Sequence, residues 1–377
     1  MSPPPITPIP LVDLKAQHAE IAGEISAGFD RVIGDTSFIL GPAVREFEEA
    51  FARYCGTAHC VGVANGTDAI ELTARALGIG PGDEVVVPAN TFIASALGVV
   101  RAGARPVLVD CDAFQLLDPG KTEAAITPRT RALLPVHLFG QMANMEPILE
   151  VAAGRGIPVI EDGAQSQGAK RHGRPSGSFG VAAATSFYPG KNIGAYGDGG
   201  AVVTSSDEIA GHLRKLRNWG SEQKYHHPEI GFNSRLDTLQ AVVLSAKLKR
   251  LDAWNEARRR AAARYDELLS GIDGVELPLT LPGNEHVWHL YVIRVVRPPG
   301  RDEVLARLHA EGIGAGIHYP VPLHLHGALA HLGYREGDFP EAERAAGEIL
   351  SLPMHPHLTA EQQERVAEGI RRGSNRR

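Results

Sequence analysis

Residues 157–204, IPVIEDGAQSQGAKRHGRPSGSFGVAAATSFYPGKNIGAYGDGGAVVT, decide the fold. Three short apolar runs, Pro158–Asp162, Ala183–Tyr188 and Ala201–Thr204, each break off into glycine or polar residues. Short apolar runs bounded by turn formers read as buried strands. The link 189–200 is glycine-rich and too short for a helical crossover, which predicts an antiparallel return between the last two strands. Toward the N-terminus the rhythm continues in His59–Ala64, Glu84–Pro88, Pro106–Asp110 and Ala132–His137, with amphipathic stretches between them. Gly78-Ile-Gly-Pro-Gly82 closes one helix, and the pair Gly82–Asp83 opens the next strand. The expectation is an α/β unit, a mostly parallel seven-stranded sheet with helices on both faces.

Beyond Asn233 the texture changes. Asp237–Ser270 is charged and rich in Ala and Leu, and reads as one or two helices leaving the large domain. His289–Val296 as a strand, with Arg301–Glu311 and Ala360–Arg371 as helices, suggests a smaller α+β domain, and the tail 373–377 is expected to fray. A chain of 377 residues is long enough for two domains. We divide it at 249/250: an N-terminal arm and large domain over 1–249, a small C-terminal domain over 250–377.

The formal net charge of −6 offers no basic face for nucleic acid or an anionic membrane. No apolar run approaches the roughly 20 residues that span a bilayer, and the proline-rich start resembles no signal peptide. Three cysteines, Cys55, Cys60 and Cys111, suit a reducing compartment, so a cytoplasmic location is expected. Five histidines, His324, His326, His331, His355 and His357, invite a metal reading. They lie without nearby cysteines or paired carboxylates, and no metal is expected.

Open α/β sheets bind ligands beyond the carboxyl ends of their strands. Asn65–Thr67, Asn90–Phe92, Asp162–Gln165 and Ser186–Lys191 all fall at such ends. Lys191 sits between Pro189–Gly190 and a run of glycines that lets backbone approach a ligand, and the Ser186 hydroxyl can face an anion. Together they suggest a Schiff-base lysine beside a phosphate. One of Glu161 and Asp162 should turn inward, and a buried carboxylate needs a cationic partner. A protonated pyridine nitrogen is such a partner. Asn65-Gly-Thr-Asp opens a helix whose unpaired N–H groups make a phosphate seat. Phe92 is placed either to stack on a flat ring or to fill the core.

Taken together these residues resemble the DegT/DnrJ/StrS-type sugar aminotransferases, pyridoxal-phosphate enzymes of fold type I. The resemblance spans nearly the whole chain: Ile9-Pro-Leu-Val-Asp-Leu14, Val85-Val-Val-Pro-Ala-Asn-Thr-Phe92, Glu161-Asp-Gly-Ala-Gln165, Ser186-Phe-Tyr-Pro-Gly-Lys-Asn192, Gly197-Asp-Gly-Gly-Ala-Val-Val-Thr204, Gly231-Phe-Asn-Ser-Arg-Leu-Asp237 and Ile317-His-Tyr-Pro320. It implies that Lys191 binds the cofactor and shuttles a proton, that Asp162 pairs with the pyridine nitrogen, and that Gln165 lies near the ring or its hydroxyl. Phe92 would stack on the ring. Gly66, Thr67 and Ser186 would hold the phosphate, completed by Asn233 of a second subunit in a homodimer with shared active sites. Tyr188, Lys224, Tyr225, His318 and Tyr319 would face the substrate. Many relatives carry alanine where this chain has Gly163, a change too small to disturb Asp162.

In the dehydratase branch of that family histidine replaces the lysine, so Lys191 implies transamination. The expected reaction takes an amino group from L-glutamate, through the pyridoxamine form of the cofactor, to a ketosugar. The stretch Gly220-Ser-Glu-Gln-Lys-Tyr-His-His227 resembles members acting at the sugar C-3. A dTDP-linked 3-keto-6-deoxyhexose is the first expectation. A UDP-linked 3-keto sugar, a keto-cyclitol and a non-catalytic regulator that binds the cofactor are the alternatives.

Overall fold

The computed structural model describes residues 7–374. Seven strands line up as one sheet: β1 (His59–Val63), β2 (Glu84–Pro88), β3 (Arg105–Val109), β4 (Thr130–Leu133), β5 (Ile160–Asp162), β6 (Ala182–Ser186) and β7 (Gly200–Thr204). β2 pairs in parallel with β3 and with β4. The parallel bridges Leu133↔Val159 and Val136↔Asp162 carry the ladder on to β5, which runs parallel to β6. β7 then lies antiparallel between β6 and β1. The sheet order is therefore β3-β2-β4-β5-β6-β7-β1, and the tight return across 189–200 is present.

Prolines trim two of the expected strands. β4 stops at Leu133 instead of reaching His137 because Pro135 cannot donate to a ladder, and β5 begins after Pro158 for the same reason. β2 is buried along its whole length, as an inner parallel strand with both faces covered must be.

Helices fill both faces. Gly66–Ala76 is capped by Asn65, whose side chain accepts from the Asp68 N–H, and Ile93–Arg101 follows β2. Two helices absent from the sequence reading, Leu14–Gly34 and Pro42–Cys55, precede the sheet, the second closing on Gly56 in the left-handed region that glycine adopts without a Cβ penalty. The stretch Asp237–Ser270 forms two helices, Thr238–Leu248 and Leu251–Leu269. At their junction Lys249 and Arg250 both reach Glu24 on the first helix.

A second sheet is antiparallel, with β9 (Tyr291–Val295) between β8 (Val275–Glu276) and β10 (Ile349–Leu352). The helices Arg301–Ala310 and Ala360–Ser374 close its core, to which Ile9 is added by a bridge to Ile313. β10 was not anticipated: ILSL is four residues long, and its pairing with β9 is set by distant contacts. Leu323, Leu329, Leu332 and Phe339, late in the chain, pack on the core of the large sheet. The expected frayed tail is corrected at 373–374, which continue the last helix, while 375–377 lie outside the described residues. Among the described residues no helix is long and apolar enough to cross a membrane. The three cysteines are buried and unpaired.

Candidate active site

The carboxyl ends of β1, β2, β5 and β6 open into a single cavity of about 630 Å³. This falls in the range of pockets that enclose a small-molecule cofactor, roughly 300–1,000 Å³. Ten of the residues singled out from the sequence line it: Gly66, Thr67, Phe92, Asp162, Gln165, Ser186, Tyr188, Lys191, His318 and Tyr319.

Lys191 is half-buried at the wall of this cavity. Loss of hydration lowers its ammonium to about 8, against a partial counter-effect of the Asp162 charge. An amine so poised spends a useful fraction of its time neutral near physiological pH.

The expectation that one of the two adjacent acids turns inward is corrected, because both are buried. Successive side chains of a strand point to opposite faces, so each acid has its own surroundings. Glu161 meets His137 Nε2 at 2.9 Å and accepts N–H bonds from Gly177, Phe179 and Gly180. Burial pushes its carboxyl up, but the His137 hydrogen bond and charge and these N–H donors outweigh burial and hold it below the usual range. Asp162 faces the cavity, where Ser95 Oγ donates to Oδ2 at 2.7 Å and the Ala164 N–H to Oδ1 at 3.1 Å.

The phosphate seat is built by close approach. A Cβ on Gly66 would stand 2.6 Å from Ser186 Cβ, so glycine lets the helix start touch β6. Asn65 takes the Asp68 N–H at 2.8 Å. The N–H groups of Gly66 and Thr67, which have no intrahelical acceptor, remain for an anion beside the Ser186 hydroxyl.

Phe92 is 50% exposed, too much for a core residue, and its ring stands 5.2 Å from that of Tyr319. Gln165 accepts from the Phe139 N–H at 2.6 Å and so directs its amide nitrogen to Tyr319 Oη at 3.0 Å. His318 Nδ1 lies 2.8 Å from Ser351 Oγ, and burial, then the Lys191 charge, lower its imidazolium to about 4. His318 is thus a neutral ring at pH 7.

Three of the expected residues lie elsewhere. Asn233 is exposed and bonded to Arg235, while Lys224 and Tyr225 lie in a separate hollow between Asn218 and Gly231. Conversely, Ser95, Thr91, His289, Leu11 and Val12 line the cavity without having been singled out for a role. Only Thr91 and Ser95 left a trace in the sequence, a polar pair four apart across a helix start. Among the described residues no group of three or more His, Cys, Asp or Glu side chains is placed to hold a metal ion. His324 pairs instead with Glu343, and His357 with Glu20.

A lysine and a carboxylate face one cavity at the strand ends of this sheet, beside a helix-start anion seat, the set of groups that an aminotransferase needs. The chain belongs to the DegT/DnrJ/EryC1/StrS aminotransferase family, whose model matches residues 19–371. It is 49% identical to the dTDP-3-amino-3,4,6-trideoxy-alpha-D-glucose transaminase of Streptomyces venezuelae, over 98% of this chain and 97% of that protein. It is equally, 49%, identical to the UDP-N-acetyl-3-dehydro-alpha-D-glucosamine 3-aminotransferase of Acidithiobacillus ferrooxidans, over 97% and 98%. The crystal structure of S. venezuelae DesV in complex with a ketimine intermediate superposes with a TM-score of 0.95 at 49% identity, covering 98% of this chain and 99% of that one.

Proposed function

We propose that the protein is a pyridoxal-phosphate-dependent aminotransferase that moves an amino group from L-glutamate to C-3 of a dTDP-linked 3-keto-6-deoxyhexose. The observation that carries this is the convergence of Lys191 and Asp162 on one cavity with an anion seat at Gly66, Thr67 and Ser186. The cradle fits the cofactor: its anion seat is one helix start, its cationic nitrogen would meet Asp162, and Phe92 offers an exposed aromatic face. When bound, pyridoxal phosphate supplies an aldehyde that condenses with amines and a ring that draws electrons from the neighbouring carbon.

The chain's own residues supply the rest. Lys191 Nζ would hold the cofactor and, when free and neutral, would be the base that takes the proton from the amino acid's Cα. Asp162, held by Ser95 and the Ala164 N–H, would favour a positive charge on the ring nitrogen. Tyr188, His318 and Tyr319 border the space left for the sugar, and Lys224, Tyr225 and Asn233 act on the site of the neighbouring subunit. The acting form is a cytoplasmic homodimer, each chain divided into a large unit over 1–249 and a small one over 250–377.

The test is spectroscopic, then analytical. The purified protein should absorb near the violet edge of the visible range and lose that band when L-glutamate is added. Mass analysis should then find an amine on a dTDP-3-ketosugar. Amination of a UDP-3-keto sugar or a keto-cyclitol instead would replace the proposed acceptor, and a cofactor band that never responds to any amino donor would favour a binding regulator.

A further inference from the structure

His289 stands at the entry to β9 and borders the cavity, yet nothing in the reaction described so far uses it. Its tautomer is dictated by a row of buried amides. The carbonyl of Gln167 can only accept, so Asn255 turns Nδ2 to it at 2.9 Å. Asn255 Oδ1 then receives Asn192 Nδ2 at 2.8 Å, and the same nitrogen donates to Val287 O at 3.0 Å. Asn192 is left with Oδ1 toward His289 Nδ1 at 3.3 Å, which must therefore carry the hydrogen. All three side chains are buried. Nε2 is left with a lone pair, in a ring that shares the cavity with the amine of the residue next to Asn192.

We propose that His289 is a positioning residue for the catalytic amine: its Nε2 accepts an N–H from Lys191 Nζ and sets where that nitrogen points when it is not covalently engaged. The inference rests on Lys191 being the reactive amine. Burial first, then the Lys191 and Arg258 charges, disfavour an imidazolium, so the ring stays an acceptor, while the Asp162 charge acts on the lysine in the opposite sense to burial. The relay begins at Gln167, whose side chain also donates to the Ser186 backbone carbonyl, so one hydrogen-bonded array runs from the strand end beside the anion seat to the ring that shares the cavity with the amine. Such an arrangement costs nothing at the moment of proton transfer because the acceptor is already oriented.

The test uses the full-length, cofactor-free protein and two readouts. Labelling of Lys191 with an amine reagent across pH, read by peptide mass, gives its protonation midpoint. His289→Phe removes the acceptor from the ammonium and should lower that midpoint by about one pH unit, while His289→Gln, which can still accept, should restore it. In nitrogen-15 histidine spectra, the His289 Nε2 signal should have the position of an unprotonated nitrogen, and Lys191→Ala should shift it. A midpoint unmoved in His289→Phe, a hydrogen on Nε2, or an Nε2 signal indifferent to Lys191→Ala would each overturn the proposal. The spectra keep it open to refutation if His289→Phe does not fold. Neither readout needs cofactor or sugar, so failure here leaves the assigned reaction standing, and failure of the absorbance test leaves this bond standing.

Discussion

The cavity floor around Lys191 and the arm at residues 218–235 both carry residues that the sequence marks as functional, and they are supported in opposite ways. On the floor three of the polar side chains have a partner behind them: Ser95 behind Asp162, the Phe139 N–H behind Gln165, Asn192 behind His289. The arm faces outward, with Tyr225 85% and Ile230 91% exposed. Its internal bonds are local, as from Ser221 Oγ to Gln223 O, or the Arg235 guanidinium 4.3 Å from the Trp219 ring centre. A small rigid group needs donors fixed in advance, which one chain can supply by burying them. Exposed aromatic and aliphatic area, by contrast, calls for a cover.

The comparison breaks most sharply at Lys191. Lys191→Ala should lower turnover by about 10³-fold or more, the scale of a lost proton-transfer group, while urea unfolding stays within about 0.5 kcal/mol of the parent. Retained turnover would remove the floor from the chemistry altogether.

Mixing sharpens the role of the arm. Asn233→Ala should be nearly inactive alone. After reversible dissociation with Lys191→Ala, half of randomly reassembled dimers are hybrids with one intact site of two, so activity should recover to about a quarter of the parent. No recovery would mean that each chain contains its whole site.

A smaller effect tests the support behind Asp162. Ser95→Ala deletes the donor to Oδ2 and leaves Thr91 Oγ1 without its partner at 3.0 Å. A loss of about 1 kcal/mol in stability and about fivefold to tenfold in kcat should follow, measured by urea titration and steady-state kinetics. An unchanged kcat would show that Ala164 alone holds the carboxylate.

The smallest effect belongs to Glu161, the acid that faces away from the cavity. Its carboxyl is held below 4.5 in the fold, so its contribution to stability is complete above that pH and is lost as pH falls through the depressed value. Between pH 6 and pH 3.5 the parent should lose more stability than Glu161→Gln does. Parallel losses would place the acid sensitivity elsewhere.

Much of this is legible in the sequence. Strand rhythm exposed all seven strands, and turn chemistry exposed the loops that carry Asp162 and Lys191. The errors have local causes: Pro135 and Pro158 shorten strands that hydrophobicity alone extends. Both acids are buried because β5 has covered faces on each side, which a count of apolar residues does not register. Ser95 shows in the sequence only as a polar residue four from Thr91, and nothing in the spacing or neighbours of His289 distinguishes it from any other polar residue near a strand end.

The chain by itself determined what depends on short range: where strands start and stop, which helix start offers free N–H groups, and that a lysine lies in a glycine-rich turn. Tertiary structure alone decided which groups meet. Gln167, Asn255, Asn192 and His289 form one row only because segments far apart in sequence are packed together, and a hydrogen bond forms only between atoms brought within about 3 Å. That distance is a property of the packed core, not of any one segment.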